Sequence, residues 1–148
     1  MKGPMPVYQF GTIGIQLEEE QRDRLAKGIT EIHSSETNAP EPFIRVIFLP
    51  IPAGFGYTAG EVATSVIVNG GIRAGRSDAT RHAIMKRIHD LVLEVIDVPP
   101  GKVVVSTMDL PSQWLMEAGL VMPQPNPEDE QAWFERLEVA GSIAESRS

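Results

Sequence analysis

The chain has 148 residues, enough for one domain with a hydrophobic core that needs no disulfide or metal staple. It has no cysteine, which excludes thiolate chemistry and makes a reducing, cytoplasmic setting the expectation. A formal charge of -7 argues against a nucleic-acid partner, and no apolar run nears the roughly 20 residues of a membrane span.

In chain order, Val7 to Ile13 reads as a first strand. Glu18 to about Glu36 reads as a helix, with three acids in its first turn and Leu25, Ile29 and Ile32 on one face. Phe43 to Leu49 is a second strand, closed by Pro50 and Pro52, and residues 53–60 form a glycine-rich loop. The pattern then restarts with a β-branched strand over 63–70 and a helix from about Ser77 to Asp97. A Pro99-Pro100-Gly101 break and a strand over 102–108 follow. Strand, long helix and strand, twice over, predict an α+β fold of two βαβ units. Four strands would form one sheet with both helices on one face. The other face would be bare and apolar and would call for a partner subunit.

Beyond about residue 111 the chain reads as an extension. Pro111 to Gly119 is compatible with one short helix, and Pro123, Pro125 and Pro127 are expected to break regular structure. Trp133 to Leu137 gives a last amphipathic patch, and fraying is expected from Ala140.

The segment from Asn69 to Asp78 carries the chemistry. Arg73 and Arg76 flank Gly75 just before Ser77, a good N-cap, so two guanidinium groups are expected beside the unpaired N–H groups of a helix start. Such a pair suits a planar carboxylate or a phosphate; the alternative is that both arginines pair with nearby acids. Gly70 to Ser77 spells a phosphate-loop pattern with arginine in place of its lysine, in a chain short for a nucleotide-hydrolase core, so the nucleotide reading is demoted to a minor alternative while the anion-binding logic survives. His33 falls on the inward face of the first helix, either as a satisfied core residue or as a ligand group. His82 and His89 read as a solvated face, and no spacing suggests a metal site. Pro6 reads either as an ordinary strand-start proline or, if translation begins at Met5 and the methionine is lost, as a free secondary amine able to move a proton.

These pieces resemble the tautomerase superfamily, and most closely its cis-3-chloroacrylic acid dehalogenase branch. The resemblance runs from about Pro6 to Leu137. It rests on Pro6-Val7-Tyr8, Ile29-Thr30-Glu31-Ile32-His33, Arg73-Ala74-Gly75-Arg76-Ser77, Met116-Glu117-Ala118-Gly119, and Met122-Pro123-Gln124-Pro125 followed by Trp133-Phe134. It implies paired β-α-β units, a homotrimer and an active site around an amino-terminal proline. By position, Pro6 matches the catalytic proline, His33, Arg73 and Arg76 match groups that hold the substrate carboxylate, and Glu117 matches the glutamate that activates water. Two features depart from the pattern. Ser106 stands where the branch has a tyrosine, and residues 1–5 precede the proline.

The expectation is a single tautomerase-like domain over residues 1–148, with 1–5 and about 111–148 as extensions. It would act without a cofactor on a small unsaturated or 2-oxo carboxylate, by keto–enol tautomerisation or by slow hydration or dehalogenation. The alternative is a non-catalytic relative of the same fold that binds an anion while Pro6 is not amino-terminal.

Overall fold

The computed structural model describes residues 6–124 and 126–139. It is an α+β fold: β1 (Val7–Ile13), α1 (Glu19–Thr37), β2 (Arg45–Ile51), the short strands β3 (Tyr57–Thr58) and β4 (Glu61–Val62), β5 (Ser65–Arg73), α2 (Asp78–Val95), β6 (Val103–Leu110), the short strands β7 (Met116–Glu117) and β8 (Leu120–Val121), and α3 (Pro127–Val139). The main sheet has the order β2-β1-β5-β6. β1 and β2 are parallel, as are β5 and β6, whereas β1 and β5 run antiparallel. Two βαβ units thus meet at the sheet centre, as the strand–helix–strand repeat predicts.

Alternation along each strand sorts the faces. Tyr8 and Phe10 on β1 and Val66, Val68 and Ile72 on β5 are fully buried beneath Leu25 and Ile29 of α1 and Ile84, Ile88 and Val92 of α2. Gly28 explains how the helices approach so closely, because a Cβ there would collide with Leu91. Ser77 caps α2 as expected, its hydroxyl accepting the Thr80 N–H at 3.1 Å.

The opposite face is left bare over most of its area by the described residues, with Ile47, Leu49, Ile51, Ile67, Val104 and Met108 exposed. One end of it is covered, contrary to the sequence expectation. There Val7 and Leu110 pack against a second cluster built on Phe43, Met122, Trp133 and Leu137.

Several elements differ from their prediction. β2 runs through Pro50 to Ile51, which an edge strand tolerates because a missing N–H costs it no bond to β1. The glycine-rich loop contains the β3–β4 hairpin. Pro111 to Gly119 is not a helix: a 3-10 turn at Ser112–Trp114 leads into the β7–β8 hairpin. Ala118 and Gly119 both take positive φ (54° and 79°), which turns the chain in two residues and leaves no helical path. Pro127 does not break structure but opens α3, where its fixed φ and missing N–H cost nothing. Pro125, and the fraying expected from Ala140, lie outside the described residues. No helix among the described residues is long and apolar enough to cross a membrane.

Candidate functional site

β1 sends Tyr8, Phe10 and Thr12 to the helix-covered side, where all three are buried, and Pro6, just ahead of the strand, is buried too. Pro6 and Tyr8 are two residues apart, about 7 Å along an extended chain. Gly70 lies opposite Tyr8 in the β1–β5 ladder, and a Cβ there would collide with the Tyr8 ring. The phenol therefore lies over bare backbone and reaches α1, where its hydroxyl sits 2.8 Å from His33 Nδ1. The two rings meet edge to face with centroids 5.6 Å apart.

His33 is thus both a satisfied core residue and part of a polar pair. Burial, followed by the nearby Arg76 guanidinium, holds its pKa down to about 3, so the imidazole is neutral at pH 7. Burial pushes the Tyr8 phenol well above its ordinary range, with Arg76 pulling the other way. The geometry fits a phenol that donates to Nδ1, with the ring proton on Nε2.

The two arginines, side by side in sequence, have different environments. Arg73, the last residue of β5, is buried with 3 % of its surface exposed, and its Nη2 lies 2.5 Å from Glu130 Oε2 on α3. Its Nη1 donates to the Pro123 carbonyl at 3.4 Å, and its Nε has no partner among the described residues. Arg76, in the loop ahead of α2, is half-buried and pairs with no carboxylate among the described residues. Burial and the Arg73 charge lower its pKa, while Glu130 and Tyr8 oppose that shift. Arg73, Ala74, Gly75 and Arg76 line a hollow of about 150 Å³, closed on its far side by Asn126, Pro127 and Glu130. The first turn of α2, which the sequence offers as the anion-binding end, is partly satisfied by Ser77; the start of α3 lines the hollow instead. A larger surface hollow lined by Arg24, Lys27, Glu31 and Glu41 contains none of these groups.

Glu117 is buried on β7 and lies 3.1 Å from Arg45 Nη1 at the start of β2. The Arg45 backbone N–H donates to the Pro6 carbonyl at 3.1 Å, so Arg45 links the Pro6 main chain to Glu117. Glu117 is therefore brought to the Pro6 end of β1 through Arg45, and its ion pair is with that residue rather than with Arg73 or Arg76. Ser106 lies on the bare face, like Val104 and Met108 on the same strand, and donates to Asn69 Oδ1 at 2.6 Å. Its hydroxyl is on the opposite side of the sheet from Tyr8. No group of three or more His, Asp or Glu side chains able to hold a metal ion is present among the described residues.

Three groups escape a reading of the sequence: Tyr8, Arg45 and Glu130. Tyr8 alternates with Pro6 and is detectable from strand periodicity. Glu130 falls on the stripe Glu130, Trp133, Leu137, and a carboxylate on a buried helical stripe signals a buried partner. Arg45 carries no such mark.

The sequence profile of the family described as "Putative oxalocrotonate tautomerase enzyme" matches residues 5–138. The chain belongs to the tautomerase superfamily. Solved structures agree with that membership. Native Ps01740 is 44% identical, with a TM-score of 0.73, over 75% of this chain and 99% of its own. N1, a member of the cis-3-chloroacrylic acid dehalogenase family, is 26% identical with a TM-score of 0.81, over 93% of this chain and 98% of its own. This sets the chain with the dehalogenase-like branch of the superfamily. A fused 4-OT that forms an asymmetric trimer shares the tautomerase fold at 20% identity and a TM-score of 0.72, over 78% of this chain and 94% of its own. No curated protein sequence matches the chain.

Proposed function

We propose that this tautomerase-superfamily protein acts on a small unsaturated or 2-oxo carboxylate, by keto–enol tautomerisation or by slow hydration or dehalogenation of a 3-haloacrylate-like acid. The observation that carries this reading is Arg76, a half-buried cation without an acidic partner among the described residues, in a small hollow and within electrostatic reach of the neutral Tyr8–His33 pair. Arg76, with Arg73 beside it in the hollow, holds the carboxylate by charge-assisted hydrogen bonds. His33, being neutral, orients it as a donor through Nε2 and contributes no charge.

Pro6 supplies the proton when its nitrogen is a free amine. In hydration the prolinium protonates Cα while water, held by Glu117, adds its oxygen to Cβ and gives up a proton. With a halogen on Cβ the adduct loses halide and a proton to become an aldehyde. In tautomerisation the same amine moves one proton between carbon and oxygen.

Assembly belongs to this reading. Ser106 lies on the bare apolar face, away from the Tyr8–His33 pair, which places it to approach the site of another copy packed there, and the fused 4-OT relative assembles as a trimer. A homotrimer with no resident cofactor is the proposed form. A second reading follows from Met5: with that residue attached, the Pro6 nitrogen is an amide, and the hollow binds an anion without turning it over.

The two readings separate in one assay. Protein beginning at Pro6 should exceed protein beginning at Met1 in phenylpyruvate tautomerisation by roughly 10²–10⁴, the range for one positioned acid–base group. Equal rates remove Pro6 from the mechanism.

A further inference from the structure

The Arg73–Glu130 pair changes the charge of the hollow. Arg73 and Arg76 are its cations, and Glu130, 2 % exposed at the wall, cancels one of them. Glu130 reaches Arg73 because α3 is anchored there: the Asn126 side chain caps the helix, accepting the Asp129 N–H at 2.8 Å, and the Glu130 N–H donates to the Asn126 carbonyl at 3.0 Å. The carboxylate so fixed cannot leave without stranding a buried guanidinium. Asp129, also held by Asn126, adds a second negative charge near the rim.

We infer that Glu130 is a specificity-determining residue: by neutralising Arg73 it leaves one uncompensated cation in the hollow, so the site takes a small monocarboxylate and disfavours a dicarboxylate of the same length. This rests on the carboxylate site proposed above. A hollow of about 150 Å³ has room for a three- or four-carbon acid, whose second carboxylate stays within electrostatic reach of Glu130. At that range one fixed charge changes the affinity of another by about tenfold or more. Glu130 acts here through Arg73 and through repulsion, without touching the reacting atoms.

Butanoate and butanedioate are the matched probes, with dissociation constants measured by ligand-observed NMR on the full chain at pH 7.5. The expected result is at least about a tenfold preference for butanoate, with Glu130→Gln narrowing that ratio by about tenfold, chiefly by tightening butanedioate. If Glu130→Gln fails to fold, the double variant Arg73→Gln, Glu130→Gln removes one charge of each sign. It should then keep the wild-type preference even though both acids bind more weakly. Equal or tighter wild-type binding of butanedioate overturns the inference, as does a Glu130→Gln change that moves both acids alike or a double variant that loses the preference. If neither acid binds, or if Arg76→Ala leaves butanoate affinity intact, the carboxylate site itself is wrong and the inference goes with it.

Discussion

Tyr8 and His33 meet through a 2.8 Å hydrogen bond made possible by a missing side chain, because Gly70 leaves the space in which the phenol lies. The strand pair, the helix and the polar contact depend on one another there. Gly70→Ala should cost about 1–3 kcal/mol through overpacking. It should also free His33 from its tyrosine, which NMR would report as a changed imidazole shift. An unaltered shift would mean that the ring does not depend on Gly70 for its position.

His33 gives a pH signature. Its folded pKa of about 3 lies below the ordinary 6.5, so the unfolded chain takes up the proton first as pH falls. Its neutral form is therefore fully compatible with folding above about 6.5, and stability drops as pH falls toward 3, by at most about 1.4 kcal/mol per pH unit for one proton. Urea unfolding at pH 4.5, 5.5, 6.5 and 7.5 should show His33→Gln with a shallower decline than the parent. Parallel declines would refute the assignment of a buried neutral imidazole.

The two arginines should respond differently to the same truncation. Arg73→Ala strands the buried Glu130 carboxylate and should cost about 3–5 kcal/mol of stability. Arg76→Ala breaks no ion pair among the described residues, so stability should change by less than about 0.5 kcal/mol. Its effect should instead be a loss of carboxylate affinity of about tenfold or more, from charge-assisted bonds of about 1.5–3 kcal/mol. Chemical denaturation and carboxylate titration of both variants check the pair. A large stability loss in Arg76→Ala would place that side chain in the core rather than in a site.

Assembly and Ser106 can be tested together. Light scattering should give about three times the 16.2 kDa chain mass, and Val104→Lys, a charge in the bare face, should return monomers. On the trimeric background with Pro6 exposed, Ser106→Tyr should raise dehalogenation of cis-3-chloroacrylate, because the phenol extends the hydroxyl by a ring. A monomeric parent at micromolar concentration would defeat both expectations.

The sequence shows most clearly what repeats. β1, α1, β5 and α2 carry strong periodicity, and their cores, Leu25 with Ile29 and Ile84 with Ile88, are where the pattern puts them. The C-terminal segment is opaque for a physical reason. Ala118-Gly119 makes a tight turn without the usual Asn-Gly mark, and Pro127 reads as a breaker although it serves as a helix opener. The candidate site is half legible by the same logic. Arg73, Arg76 and His33 stand out by type and spacing, but the partner that distinguishes the two arginines, Glu130, is 57 residues away in sequence and becomes visible only once α3 docks.

Pro50 matters for what the molecule does not become. Among the described residues no strand pairs with the outer rim of β2, its residues are largely exposed, and Ile47, Leu49 and Ile51 would suit a growing fibril. Proline interrupts the row of donors that an incoming strand would need. Copies of the chain are thereby discouraged from pairing edge to edge through β2, which leaves backbone pairing to the rim of β6 and apolar attraction to side chains on the broad face. Closed assemblies, which use up a finite surface, are favoured over open ones that never do. Pro50→Val should remove that safeguard and leave a protein that folds but gels on storage.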